Sequence, residues 1–197
     1  MKKKKLAILT DHSLSFTGFG RFSKALLTYL YSLNKYDLVH FAVGAVKDNP
    51  DLTRTPWVTR GVVDPNIIQQ LKAANPPQVH EQIDRMSGYG AHTIDTLVKE
   101  EKCDVLLNVQ DIWGISFACD YHWSDKITNV LWTTLDSRPI LQQAIDCSKK
   151  VKHFWSWADF ATQDMIKMGL THVKTVRGCI DTSRFYPLTD SSKSFIV

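Results

Sequence analysis

The chain has 197 residues, 44% hydrophobic and 22% charged, which suits one globular unit of ordinary size and excludes wholesale disorder. Its net charge of +4 resides in Lys2, Lys3, Lys4 and Lys5, since removing these four from 24 Lys and Arg leaves 20 against 20 Asp and Glu. That balance excludes the spread basic surface of a nucleic-acid binder.

In chain order, Leu6-Ala7-Ile8-Leu9 reads as a strand buried on both faces, because it does not alternate. Four apolar residues are too few for a signal-peptide core or a membrane span, so the chain is expected to be soluble and cytoplasmic. Phe22, Ala25, Leu26, Tyr29, Leu30 and Leu33 recur at helical spacing and predict a helix from about Arg21 to Asn34. Leu38 to Val43 and Trp57 to Val63 follow as strands. Asp64-Pro65 reads as an N-cap with proline at the first helical position, Ile67, Ile68 and Leu71 give that helix its apolar face, and Asn75-Pro76-Pro77 stops it. Further on come a helix over about Ala91 to Lys102, a strand over Asp104 to Val109 and a strand over Ile127 to Thr133. The described pattern then runs helix Ile140 to Cys147, strand His153 to Trp157, helix Ala161 to Met168 capped by Gly169, and strand Val173 to Val176. Strands alternating with helices at this spacing predict an α/β fold, a doubly wound, Rossmann-like and mostly parallel sheet.

Cys103, Cys119, Cys147 and Cys179 form no CxxC pair and no HxxxH pair accompanies them, so zinc is not expected; three of the four fall inside or beside apolar runs, where reduced, buried thiols are expected. Three polar stretches fall at predicted strand carboxyl ends, where parallel sheets bind ligands. They are Thr10 to Arg21 with Gly18 and Gly20, Asn108-Val109-Gln110-Asp111-Ile112-Trp113, and Thr133 to Pro139 with Asp136 and Arg138. Gly18 and Gly20 either let the backbone approach a phosphate or merely permit a turn. Asp111 either caps the next segment or faces a ligand, and Asp136 either caps the Ile140 helix with Pro139 at its first position or belongs to the site. An offset of eight from Asp11 to Phe19, Ser23 in place of a third glycine and no acid ending the second strand disfavour a dinucleotide fingerprint. His12 reads as a solvated loop histidine, and His40, His153 and His172 as structural. Trp132, Trp155 and Trp157 read as packing, whereas Trp113 and Trp123 fall in loops, where an aromatic ring either packs or stacks on a sugar.

Thr17-Gly18-Phe19-Gly20-Arg21 and its helix resemble the glycine loop and first helix of GT-B glycosyltransferases of the family 4 type. Val176-Arg177-Gly178-Cys179-Ile180-Asp181-Thr182-Ser183-Arg184-Phe185-Tyr186-Pro187 is similar to that family's NGVDxxxFxP interdomain signature, with Arg177 for the usual Asn and Cys179 for Val. Lys102 to Val105 through Asp111-Ile112-Trp113 is similar to its PDVV…HD strand and loop. The resemblance implies that residues 1–178 are an N-terminal, acceptor-side domain. It implies that residues 179–197 are a linker and the first strand, Phe195 to Val197, of a C-terminal donor domain missing from the chain. Glu81, Glu100 and Glu101 are the only glutamates and cannot make the family's E-x7-E donor pair.

The implied activity is retaining, metal-independent transfer from a nucleotide-activated sugar, the nucleotide sugar being a co-substrate and no cofactor being required. The acceptor would be a sugar, a lipid-linked molecule or a protein, and the fragment alone is expected to be inactive. The resemblance places Gly18, Phe19, Gly20, Arg21, Asp111, Trp113 and Arg138 on donor phosphate or acceptor. It gives Asp136, where relatives carry histidine, a hydrogen-bonding role at the reaction centre. The competing reading is a non-catalytic α/β module that binds a sugar or a partner. The lysine run is a solvated tail or a weak peripheral contact with anionic lipid.

Overall fold

The computed structural model describes residues 3–124 and 126–178. The linker and second-domain expectations for 179–197, Cys179 included, lie outside the described residues. Among these, seven strands form one sheet in which every neighbouring pair is parallel. The strands are β1 (Lys4–Asp11), β2 (Tyr36–Val46), β3 (Val58–Val63), β4 (Val105–Val109), β5 (Thr128–Thr133), β6 (His153–Ser156) and β7 (Lys174–Thr175). They lie in the order β3-β2-β1-β4-β5-β6-β7, the doubly wound, Rossmann-like arrangement, with the order reversing between β1 and β4.

The period of two along each strand sorts the apolar runs onto two faces. Leu6 and Ile8 of β1 join Leu38, Leu107, Val109 and Val130 beneath Phe22 and Leu27 of α1 (Gly18–Ser32). Ala7 and Leu9 join Val39, Phe41, Leu106, Leu131 and Phe154 on the opposite face. That face is covered by Ile94 and Val98 of α4 (Ile94–Glu101), Ala144 and Cys147 of α6 (Gln142–Lys150), and Ala161 and Met165 of α7 (Asp159–Lys167). Both faces being buried is why the strands read as unbroken apolar runs. Trp132, Trp155 and Trp157 pave the α1 face over β5 and β6, packed edge-on or tilted among themselves and against Phe22, as expected of packing residues.

Most predicted elements occur within a few residues of their expected ends. α2 (Pro65–Ala74) begins as the Asp64-Pro65 signal requires: the Asp64 carboxylate accepts the Asn66 N–H at 2.9 Å and pairs with Lys47 at 2.8 Å. Gly169 follows α7 with φ of 89°, a left-handed position that glycine takes without strain. Two short segments carry no period in the sequence. α3 (His80–Gly88) buries only Ile83 and Ser87, and α5 (Ile112–Ile115) is a single turn followed by a 3-10 turn over Ser116–Cys119.

Two expectations are corrected. α6 starts at Gln142, with Leu141 before it and no side-chain cap, so Asp136 is not an N-cap and Pro139 is not a first helical residue. Ile140 drops into the core instead, and the residues before it form an exposed loop. His12 is buried rather than solvated, its ring stacked on that of His40 with centroids 6.2 Å apart. No helix among the described residues is long and apolar enough to cross a membrane.

Candidate functional site

The point where the strand order reverses is the crevice in which open parallel sheets bind ligands. Here β1 ends on Asp11 and β4 runs into Gln110 and Asp111. Gln110, only 2% exposed, donates its side-chain amide to Asp11. The Thr17 hydroxyl donates to the other Asp11 oxygen at 2.5 Å and accepts the Gly20 N–H at 2.9 Å, capping α1. The Ser23 hydroxyl closes the turn between the carbonyls of Asp11, at 3.0 Å, and Gly20, at 2.9 Å. Across the crevice the Thr134 hydroxyl, just past β5, donates to Asp111. Asp111 therefore precedes α5 without capping it, its carboxylate being turned to Thr134. Asn108 lies deeper, its amide donating to Asn129 and to the Val130 carbonyl within the sheet.

Thr17 thus serves both helix and site. Thr17→Ala is expected to lower stability by about 1 kcal/mol through loss of the cap, and Thr17→Ser to restore it. Urea unfolding followed by tryptophan fluorescence checks this, and an unchanged Ala variant would remove the cap from the account.

Tyr89, which follows α3, is a site residue with no signal in the sequence. Its phenol is pushed up from the usual range, first by burial and then by the negative charges of Asp11 and Asp111. Its ring meets Trp113 edge-on at 5.1 Å, and a Cβ at Gly114 would come within 2.8 Å of it, so glycine at 114 admits the ring. A pocket of about 140 Å³ opens beside this group, walled by Asp111, Trp113, Thr134, Leu135, Asp136 and Leu141. That volume falls below the ~300–1,000 Å³ of complete small-molecule sites, so it accommodates part of a ligand.

The structure therefore brings together Asp111, Trp113 and Asp136 of the expected residues. Gly18, Phe19, Gly20 and Arg21 form the first turn of α1, because the helix starts three residues earlier than the periodicity suggested. They join the crevice through Thr17 and Asp11. Gly18 has open space where a side chain would stand, whereas at Gly20 a Cβ would collide with the Ser15 carbonyl and sit 2.9 Å from Thr17 Oγ1. Phe19 packs edge-on against Trp157 at 5.7 Å, and Arg21 is exposed. Arg138 is drawn away from the pocket: its guanidinium donates to both oxygens of Asp164, at 2.5 and 3.2 Å, and lies 4.9 Å over the Phe160 ring. Trp113 is 44% exposed at the pocket mouth, while Trp123 is buried and stacked on Tyr121.

Electrostatically the crevice is an array of acceptors. Asp11, Asp111 and Asp136 form no ion pair among the described residues. Nor do these residues group three or more His, Cys, Asp or Glu side chains as for a metal ion. Such an array suits a ligand that donates hydroxyl protons, with Trp113 offering a face to an apolar ring surface. A scan against protein-family models finds no match for the chain, and a search of curated proteins finds none.

Proposed function

We propose that the chain is the acceptor-binding half of a retaining, metal-independent glycosyltransferase that uses a nucleotide-activated sugar. The observation that carries this reading is the pair of carboxylates lining the pocket beside the sheet's switch point, Asp111 and Asp136, free of ion pairs among the described residues and flanked by Trp113. Sugar hydroxyls donate to these oxygens in charge-assisted hydrogen bonds, and one sugar face rests on the exposed indole. The GT-B-like stretches over Thr17 to Arg21, Lys102 to Trp113 and Val176 to Pro187 support the same reading from the sequence.

In this scheme Asp136 and Asp111 hold and orient the acceptor. Positioning lowers the barrier by fixing the reacting hydroxyl rather than by supplying a nucleophile. Charge on the departing nucleotide diphosphate is offset by a second domain and by the N-terminus of α1, where the open position of Gly18 leaves room for approach.

Simple glycosides titrated into the chain are expected to perturb the amide resonances of Asp111, Thr134 and Asp136, and Asp111→Asn to weaken binding about tenfold or more. Sugar transfer from a panel of nucleotide sugars is expected only when a domain carrying an E-x7-E pair is supplied with the chain. Glycoside binding without transfer under those conditions would make the protein a non-catalytic sugar-binding module. Absence of both would refute the site.

A further inference from the structure

Cys119 ends the 3-10 turn that follows α5, and Cys147 lies on the inward side of α6. The two elements are clamped on either side of the thiols. The Gln143 amide donates to Ser116 Oγ at 2.7 Å, Lys150 reaches the Asp120 carboxylate at 2.6 Å, and Cys147 Sγ lies 3.9 Å from the Ser116 carbonyl. Between these contacts the two thiols lie in the same buried cluster, and both are free. A groove of about 490 Å³ runs alongside, lined by Ser116, Phe117, Asp120, Asp146, Cys147 and Lys150. Cys147 thus faces a channel wide enough for a small oxidant, and Cys119 is not among the residues that line it.

We propose that Cys119 and Cys147 are a redox-active dithiol, which hydrogen peroxide closes into an intrachain disulfide. The Cys147 thiolate attacks one peroxide oxygen, the O–O bond breaks, and the departing hydroxide takes up a proton, leaving a sulfenic acid at Cys147. The Cys119 sulfur then attacks the Cys147 sulfur, the S–O bond breaks, and a second water leaves. Two thiols and one peroxide become one disulfide and two waters, the sulfurs being oxidised and the peroxide oxygens reduced. An excess of a small thiol reverses the bond by exchange.

The surroundings suit this order of events. The neighbouring Cys119 thiol lowers the Cys147 pKa, and the Lys150 charge acts in the same direction, while the Cys147 sulfur and burial raise Cys119. The attacking sulfur is thereby the one on the groove, and the resolving sulfur keeps its proton until the second step. Cys103, whose thiol is pushed up to about 12 chiefly by burial, provides an internal comparison in the same chain. The disulfide would tie the segment after Trp113 to the helix after Leu141, covalently joining two walls of the pocket described above.

Folded protein treated with peroxide and then alkylated is expected to yield a Cys119–Cys147 linked peptide, lighter than the reduced pair by two hydrogens, with Cys103 left free. Cys147 is expected to react about tenfold or more faster than Cys103. In Cys119→Ala the reaction is expected to stop at a sulfenic acid on Cys147, trapped by dimedone. Should that variant fail to fold, peptide mapping of the wild-type chain decides alone. The proposal is overturned if both cysteines stay alkylatable after peroxide, if the link forms only in denaturant, or if Cys147 reacts no faster than Cys103.

Discussion

Gly20→Val is expected to destabilise the protein by about 3 kcal/mol, at the upper end of overpacking costs, whereas Gly18→Val is expected to stay within about 1 kcal/mol of the parent. The two glycines are two residues apart in one helical turn and have opposite surroundings. A Cβ on Gly20 would meet the Ser15 carbonyl and the Thr17 hydroxyl, which is held by its bond to Asp11 and caps the helix. A Cβ on Gly18 would meet nothing within 4 Å. Urea denaturation of both variants measures the difference. Equal losses would show that the tight packing at Gly20 does not govern stability. A folded Gly18→Val that no longer engages nucleotide sugars in the two-domain assay would assign that glycine to ligand approach.

Acidification is expected to remove about 3 kcal/mol of stability between pH 6.5 and pH 4 through His40 alone. Burial pushes this imidazole down to about 4. Its Nε2–H donates to the Thr10 carbonyl at 3.4 Å, and its Nδ1 meets no protein partner, so a proton added there would be enclosed without an acceptor. The unfolded chain binds that proton as pH falls through about 6.5, and the folded chain does not until about pH 4, so every step between favours unfolding. The neighbouring His12, also lowered chiefly by burial, acts in the same direction. The depressed carboxyls of Asp64, Asp95, Asp159 and Asp164 act lower, below the ordinary carboxylate pKa near 3.8. Unfolding free energies measured across this range for wild type and His40→Gln separate the two causes. The variant is expected to be weaker at pH 7 but to have a flatter profile from 6.5 to 4. Parallel profiles would remove His40 as the source.

The sheet was readable because burial on both faces leaves uninterrupted apolar runs such as Leu6 to Leu9, and the helices on it show their spacing. α3 was not readable because only Ile83 and Ser87 of its residues turn inward, and α5 because one turn holds no period. The same gap hid Tyr89, which is carried to the crevice by α3 and seated by the absent side chain at Gly114. Topology alone marked the stretches containing Asp11, Gln110, Asp111 and Thr134, but which carboxylate received which donor depended on packing. Arg138 illustrates the limit: its position in the sequence is beside Asp136, yet Asp164 and Phe160, some 25 residues on, decide where its charge goes.

The strand order also sets a schedule for biosynthesis. β1 lies inside the sheet, with β2 paired to one side of it and β4 to the other. β2 follows it closely from the ribosome, but β4 cannot be made until residues 47–104 have been added, roughly 3–12 s later at ordinary elongation rates. For that interval the inner edge of Leu6 to Leu9 has its backbone groups unpaired, which is a template for another nascent copy of the same segment. A ribosome that pauses before Val105 lengthens this exposure. Slow codons in 47–104 should therefore lower the yield of native protein in a way that the stability of the finished fold does not reveal.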